Sequence, residues 1–104
     1  MARDHIEFFR QAVAKVPDND FARYSLAMEY RKAGRLEESL RTFEGLLARD
    51  SSYVPAYLMA AEVAGQLGEI DKAKDIIARG TAAALKAGEQ HAADKLGELL
   101  QSLG

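Results

Sequence analysis

The chain has 104 residues, enough for one domain with a modest stability margin. Hydrophobic residues make up 48% and charged residues 29%, the profile of a globular chain rather than a disordered one, and at a net charge of −2 no basic block or stripe stands out for nucleic acid. There is no cysteine, which excludes disulfides, thiol redox chemistry and thiolate zinc sites, and no apolar run approaches the roughly 20 residues that span a bilayer.

Apolar residues recur at helical spacing in six segments, and no stretch alternates as a strand does. The first helix is expected over about Asp4 to Val16, with Ile6, Phe9, Val13 and Val16 on one stripe. Asp4 followed by Glu7 has the form of a capping box, and Pro17 stops the helix. Asp18, Asn19 and Asp20 all suit the N-cap of a second helix, Phe21 to Ala33, ended by Gly34. The third runs from Leu36 to Arg49 and buries Leu36, Leu40, Phe43, Leu46 and Leu47. Asp50, Ser51 and Ser52 are expected to cap the fourth, Val54 to Leu67, which tolerates Pro55 in its first turn and ends at Gly68. The fifth covers Ile70 to Ala87, with Ile70, Ala73, Ile76, Ile77 and Leu85 apolar, and ends at Gly88. The sixth covers Glu89 to Leu103, with Ala92, Leu96, Leu99, Leu100 and Leu103 on one side. Joints this short fold sequential helices into antiparallel hairpins.

The segments repeat. Gly34 and Gly68 stand 34 residues apart, and their surroundings align: Leu36 with Ile70, Ser39 with Ala73, Phe43 with Ile77, Ala27 with Ala61. The pattern resembles the tetratricopeptide repeat, a 34-residue helix–turn–helix unit with large and small residues at fixed places. The first unit resembles it at Leu26, Ala27, Tyr30, Gly34, Leu36, Ser39 and Phe43, the second at Tyr57, Ala61, Gly68, Ile70 and Ala73. Phe9, Ala12 and Pro17 resemble the second half of an earlier unit. Arg23 stands where the family usually has Trp. Ser51 and Leu85 stand where it usually has Pro, and the fifth helix runs past the usual stopping point. The resemblance implies an all-α solenoid of antiparallel helix hairpins, with residues 1–19 as a half repeat, 20–53 and 54–87 as two repeats, and 88–104 as a capping helix whose solvated side carries Glu89, Asp94, Lys95, Glu98 and Gln101. Small residues at Ala27, Ala61, Ser39, Ala73 and Gly80 let the helices approach closely, and each unit needs a neighbour to bury its face.

Catalytic chemistry has little to work with. His5 and His91 lie in the terminal helices, and a metal site wants such ligands converging with carboxylates. No Ser sits in a G-x-S-x-G elbow, and no glycine pattern forms a phosphate loop. Neighbouring acids such as Glu37 and Glu38 point in different directions on a helix. The chain therefore reads as a non-enzyme without catalytic residues, cofactor or metal. The N-terminal Met-Ala-Arg-Asp-His lacks the apolar core of a signal peptide, so the location reads as cytoplasmic by default.

What remains is a surface. The resemblance implies a concave groove lined by the first helix of each unit, here Phe21, Tyr24, Ser25, Met28, Arg31 and Lys32, facing Leu58, Met59, Glu62 and Gln66. Tyr24, Met28, Leu58 and Met59 would form an apolar patch rimmed by Arg31, Lys32 and Glu62, on the adaptable side chains common at binding surfaces. One subclass of the family grips a C-terminal carboxylate with Lys, Arg and Asn on these faces; here Tyr24, Met28 and Leu58 stand in their place. The expected partner is an apolar or amphipathic segment of another protein, with no nucleic acid and no membrane. Two alternatives stay open: self-association through the groove or the terminal helices into a homodimer, and coverage of the patch by the chain's own last helix.

Overall fold

The computed structural model describes residues 2–104, with side chains from His5 onward. It contains α1 (Ala2–Lys15), α2 (Asp20–Lys32), α3 (Leu36–Arg49), α4 (Val54–Gln66), α5 (Ile70–Lys86) and α6 (Gln90–Leu103), with no strand among the described residues. The helices α2 and α4 start at residues 20 and 54, and α3 and α5 at 36 and 70, so the 34-residue spacing is a spacing of helices.

Local chemistry sets the ends. Asn19 caps α2 by accepting from the Ala22 N–H at 3.1 Å. Gly34 follows α2 and Gly68 follows α4 with φ of 80° and 79°, a left-handed backbone that L side chains avoid. The chain then doubles back with two bonds at each place. Gly34 N–H donates to Arg31 O and Arg35 N–H to Tyr30 O; Gly68 N–H donates to Gly65 O and Glu69 N–H to Ala64 O.

Two expected caps differ. The helix α1 begins at Ala2, so Asp4 falls inside its first turn rather than at its cap, and the Asp4 side chain lies outside the described residues. The N-cap of α4 is Tyr53, with no side-chain cap bond. Asp50 instead turns on its own loop, accepting from the Ser52 N–H at 3.0 Å and from the Ser52 hydroxyl.

Helix α4 is apolar on nearly every side and lies at the centre. Val54, Ala56, Tyr57, Ala60, Ala61, Val63 and Ala64 are all buried. Small residues set the spacing. Ala27, Ser39, Ala61 and Ala73 are fully enclosed, and the Ser39 hydroxyl donates to Ala27 O at 2.8 Å across the α2–α3 seam. Phe43, Leu46, Ile76 and Ile77 fill the space between. A smaller cluster of Ile6, Leu26 and Tyr30 holds α1 on α2, supported by Phe9 and Val13.

Three residues expected on buried faces are open to solvent. Val16 is past the end of α1 and 54% exposed, while Leu85 (53%) and Leu100 (41%) sit in the last turns of α5 and α6. Their neighbours Ala84 and Leu99 face inward instead: Ala84 meets Val54 and Ala93, and Leu99 packs on the main core.

Candidate peptide-binding groove

Helices α2, α4 and α6 share one face. A hollow of about 350 Å³ joins Tyr24 of α2, Leu58 and Met59 of α4, and Ala92, Lys95 and Leu96 of α6. A second, of about 390 Å³, joins Arg31, Glu62 and Gln66 to Leu99 and Leu103. The first is largely apolar, with Glu89 and Lys95 among its lining residues, and the second is lined by Arg31 and Glu62 beside Leu99 and Leu103.

Between the hollows the charges are already engaged. The Arg31 Nη2 meets Glu62 Oε1 at 2.8 Å, joining α2 to α4, and its Nη1 lies 3.0 Å from the Met59 sulfur. Both side chains are about one-third exposed or less, at 26% and 32%, so the pair is only partly screened by water. The Tyr24 ring meets Phe43 edge-on with centroids 5.9 Å apart and Tyr53 at 5.5 Å. Burial pushes the Tyr24 phenol above its usual value, and neighbouring Tyr53 adds to this while Arg31 opposes it. It stays neutral in ordinary buffers and presents a ring with a hydrogen-bonding tip.

The predicted residues do not all meet. Tyr24, Arg31, Leu58, Met59, Glu62 and Gln66 line the two hollows. Met28 is half-buried against the main core on the same helix. Ser25 is half-buried and lines neither hollow. Phe21 is 67% exposed and also lines neither. Lys32 points away to solvent and pairs with Glu29 at 3.5 Å.

Sequence reasoning named no α6 residue in the groove, although it left open that the last helix covers the patch. Helix α6 occupies the place a third inner helix would take, with Ala92, Leu96, Leu99 and Leu103 turned toward α4 and Lys95 at the edge. The signal was present in the strict alternation of inner and outer helices. It was obscured because α5 has 17 residues against 14 for α3, so α6 starts at residue 90, two residues late for the 34-residue spacing. The last helix therefore narrows the patch without closing it.

His5 is exposed and lies 3.5 Å from Glu29, while His91 borders the first hollow. Among the described residues no group of three or more His, Asp or Glu is placed to hold a metal ion, and no helix is long and apolar enough to cross a membrane.

Residues 30–95 match the tetratricopeptide repeat family. The chain belongs to that family. No curated protein matches it. Among solved structures, the chain is similar to a tetratricopeptide repeat domain protein from Salinibacter ruber, with 30% identity and a TM-score of 0.78 over 84% of this chain and 88% of that one. A protein from Bordetella parapertussis gives 23% identity and a TM-score of 0.80, covering 94% and 85%. PcrH, solved in complex with the chaperone binding region of PopD, gives 19% identity and a TM-score of 0.90, covering 98% of this chain and 77% of that one. The last two likenesses concern fold alone. Tetratricopeptide repeat domains are protein-interaction modules, and this chain has their fold.

Proposed function

We propose that this tetratricopeptide repeat protein binds an apolar or amphipathic segment of a partner protein across the face shared by α2, α4 and α6. The observation that carries the reading is the apolar hollow between Tyr24, Leu58, Met59 and Leu96, with a polar continuation at Gln66. Such a face receives alternating apolar and polar side chains along one bound segment. The PcrH complex with a region of PopD supports the reading through a shared fold.

Capture of a lone C-terminal carboxylate fits less well. The Arg31 charge is taken up by Glu62, and freeing it would leave Glu62 without its partner. The bound segment is therefore expected to add apolar contact first and charge only at the rim.

A peptide array probed with the wild-type chain and with Met59→Ala and the Tyr24→Ala, Met28→Ala double variant tests the reading. Loss of a central apolar anchor weakens such binding by about 1–2 kcal/mol, roughly five- to thirtyfold in affinity. Captured peptides should be those with spaced apolar side chains. Equal capture by wild type and double variant, with both folded by circular dichroism, rejects this face.

A further inference from the structure

The two hairpins differ at one corner, and the difference leaves a cavity. In the first hairpin side chains bridge the α1–α2 connection to α2 and α3, and a smaller hollow of about 310 Å³ lies beside them at Arg23 and Gly45. The Arg23 side chain donates to Pro17 O at 3.1 Å, six residues back. Arg49, at the end of α3, reaches Asp18 at 3.2 Å and Asp20 at 3.5 Å.

The residue 34 positions after Arg23 is Tyr57, and it makes the same step back: its hydroxyl donates to Ser51 O at 2.7 Å. The bridging pair is gone. The residues 34 positions after Arg49, Asp18 and Asp20 are Ala83, Ser52 and Val54. What is left is a cavity of about 500 Å³, away from the α2–α4–α6 face, floored by Tyr57, Ala82 and Ala83.

The lengthened α5 shapes this cavity. Its three added residues dock through Ala84 on Val54 and Ala93 and carry Lys86 to the cavity edge, near Arg79. Exposed Leu85 lies on the same turn. Arg79 pairs with Asp75 at 3.1 Å on the outer surface. Among the described residues no carboxylate pairs with Lys86. An apolar floor of this size with a cationic edge suits an apolar side chain that brings its own negative charge.

We propose that this cavity is a second recognition site, separate from the inner face, which receives a leucine-sized side chain flanked by carboxylates on a segment of a partner protein. The Lys86 ammonium faces the carboxylate, and the Tyr57 ring and the alanines receive the apolar group.

Amide chemical shifts of the full chain, titrated with acetyl-Glu-Leu-Glu-amide, acetyl-Gln-Leu-Gln-amide and acetyl-Glu-Ala-Glu-amide, provide the test. Saturable shifts at Ala82, Ala83 and Ala87 are expected with the first peptide and clearly weaker ones with the other two. Lys86→Glu, a change at an exposed position, should weaken the first peptide about fivefold. The Ser52→Asp, Ala83→Arg double variant rebuilds the bridge of the first hairpin and should abolish those shifts. Because that variant carries a risk of misfolding, Lys86→Glu decides alone if its spectrum is otherwise unchanged. Identical responses to all three peptides, no saturable response, responses confined to the surroundings of Tyr24, or indifference to Lys86→Glu would each overturn the proposal. The inner-face variants should leave this titration unaltered, which separates the two sites.

Discussion

At the scale of single residues, two glycines inside helices have opposite meanings. A Cβ on Gly80 would stand 2.5 Å from the Tyr57 Cβ, 2.8 Å from its Cγ and 3.1 Å from Leu96, where α4, α5 and α6 converge. The Tyr57 Cβ is fixed to its helix backbone, so relief requires α5 and α4 to separate. Gly80→Ala should therefore destabilise the chain by about 1–3 kcal/mol. Gly97 sits inside α6 with nothing within 4 Å of such a Cβ. Gly97→Ala removes backbone freedom from the unfolded chain and should stabilise by roughly 0.5–1 kcal/mol. Urea midpoints of the two variants check both signs, and destabilisation by Gly97→Ala would mean that this flank of α6 is less open than its surroundings indicate.

At the scale of helices and their joints, a carboxylate governs the turn between α3 and α4. The Ser52 hydroxyl and then its backbone N–H hold the Asp50 carboxyl below its ordinary value. A folded value below the unfolded one gives stability that is present above the ordinary carboxylate range and lost as pH falls through the lower folded value. Asp50→Asn keeps an oxygen for the Ser52 N–H but cannot titrate. It should be less stable than wild type at neutral pH, and the gap should close on acidification. Urea midpoints at neutral pH and well below the carboxylate range read this out, and a constant gap would place the effect in packing instead. This joint also shows what the sequence could reveal. The run Asp50, Ser51, Ser52 reads as the cap of α4, a role such side chains often take. It did not show that the bonds are spent within the loop, which leaves α4 to start at an uncapped Tyr53. All six helices were legible to within two residues of their ends, because apolar periodicity marks them and left-handed glycines mark the ends of α2, α4 and α5 independently. Leu85 and Leu100 were misread for a single reason: apolar character in a last turn does not say whether the neighbouring helix extends that far. The same blindness to relative length hid the part α6 plays in the groove, since its position depends on where α5 stops.

For the molecule as a whole, the contacts are graded along the stack. The main cluster runs through α2, α3, α4 and α5 and reaches α6 at Leu96, while α1 is held by Ile6, Leu26 and Tyr30 with help from Phe9 and Val13. In a stack of helical hairpins, the end with the smaller apolar seam opens first, without dissolving the centre. Among the described residues the α1 seam has few supports besides that cluster. His5 meets Glu29 only at 3.5 Å, and among the described residues Glu29 Oε1 has no hydrogen-bond partner. Native-state hydrogen exchange should accordingly show α1 amides exchanging at a lower free energy than those of α4. Ile6→Ala sharpens the test. Truncating a buried Ile costs about 2–5 kcal/mol. If α1 opens as its own unit, this loss should appear mainly in α1 protection, with the α4 amides nearly unchanged as long as a stable remainder persists. If α1 and α4 lose protection by equal amounts, the stack unfolds all at once and the Ile6 cluster belongs to a single cooperative core. Graded opening also bears on binding. The hollows between α2, α4 and α6 are built on the central cluster and not on the α1 seam, so Ile6→Ala should retain the peptide preference of the inner face even where α1 is frayed.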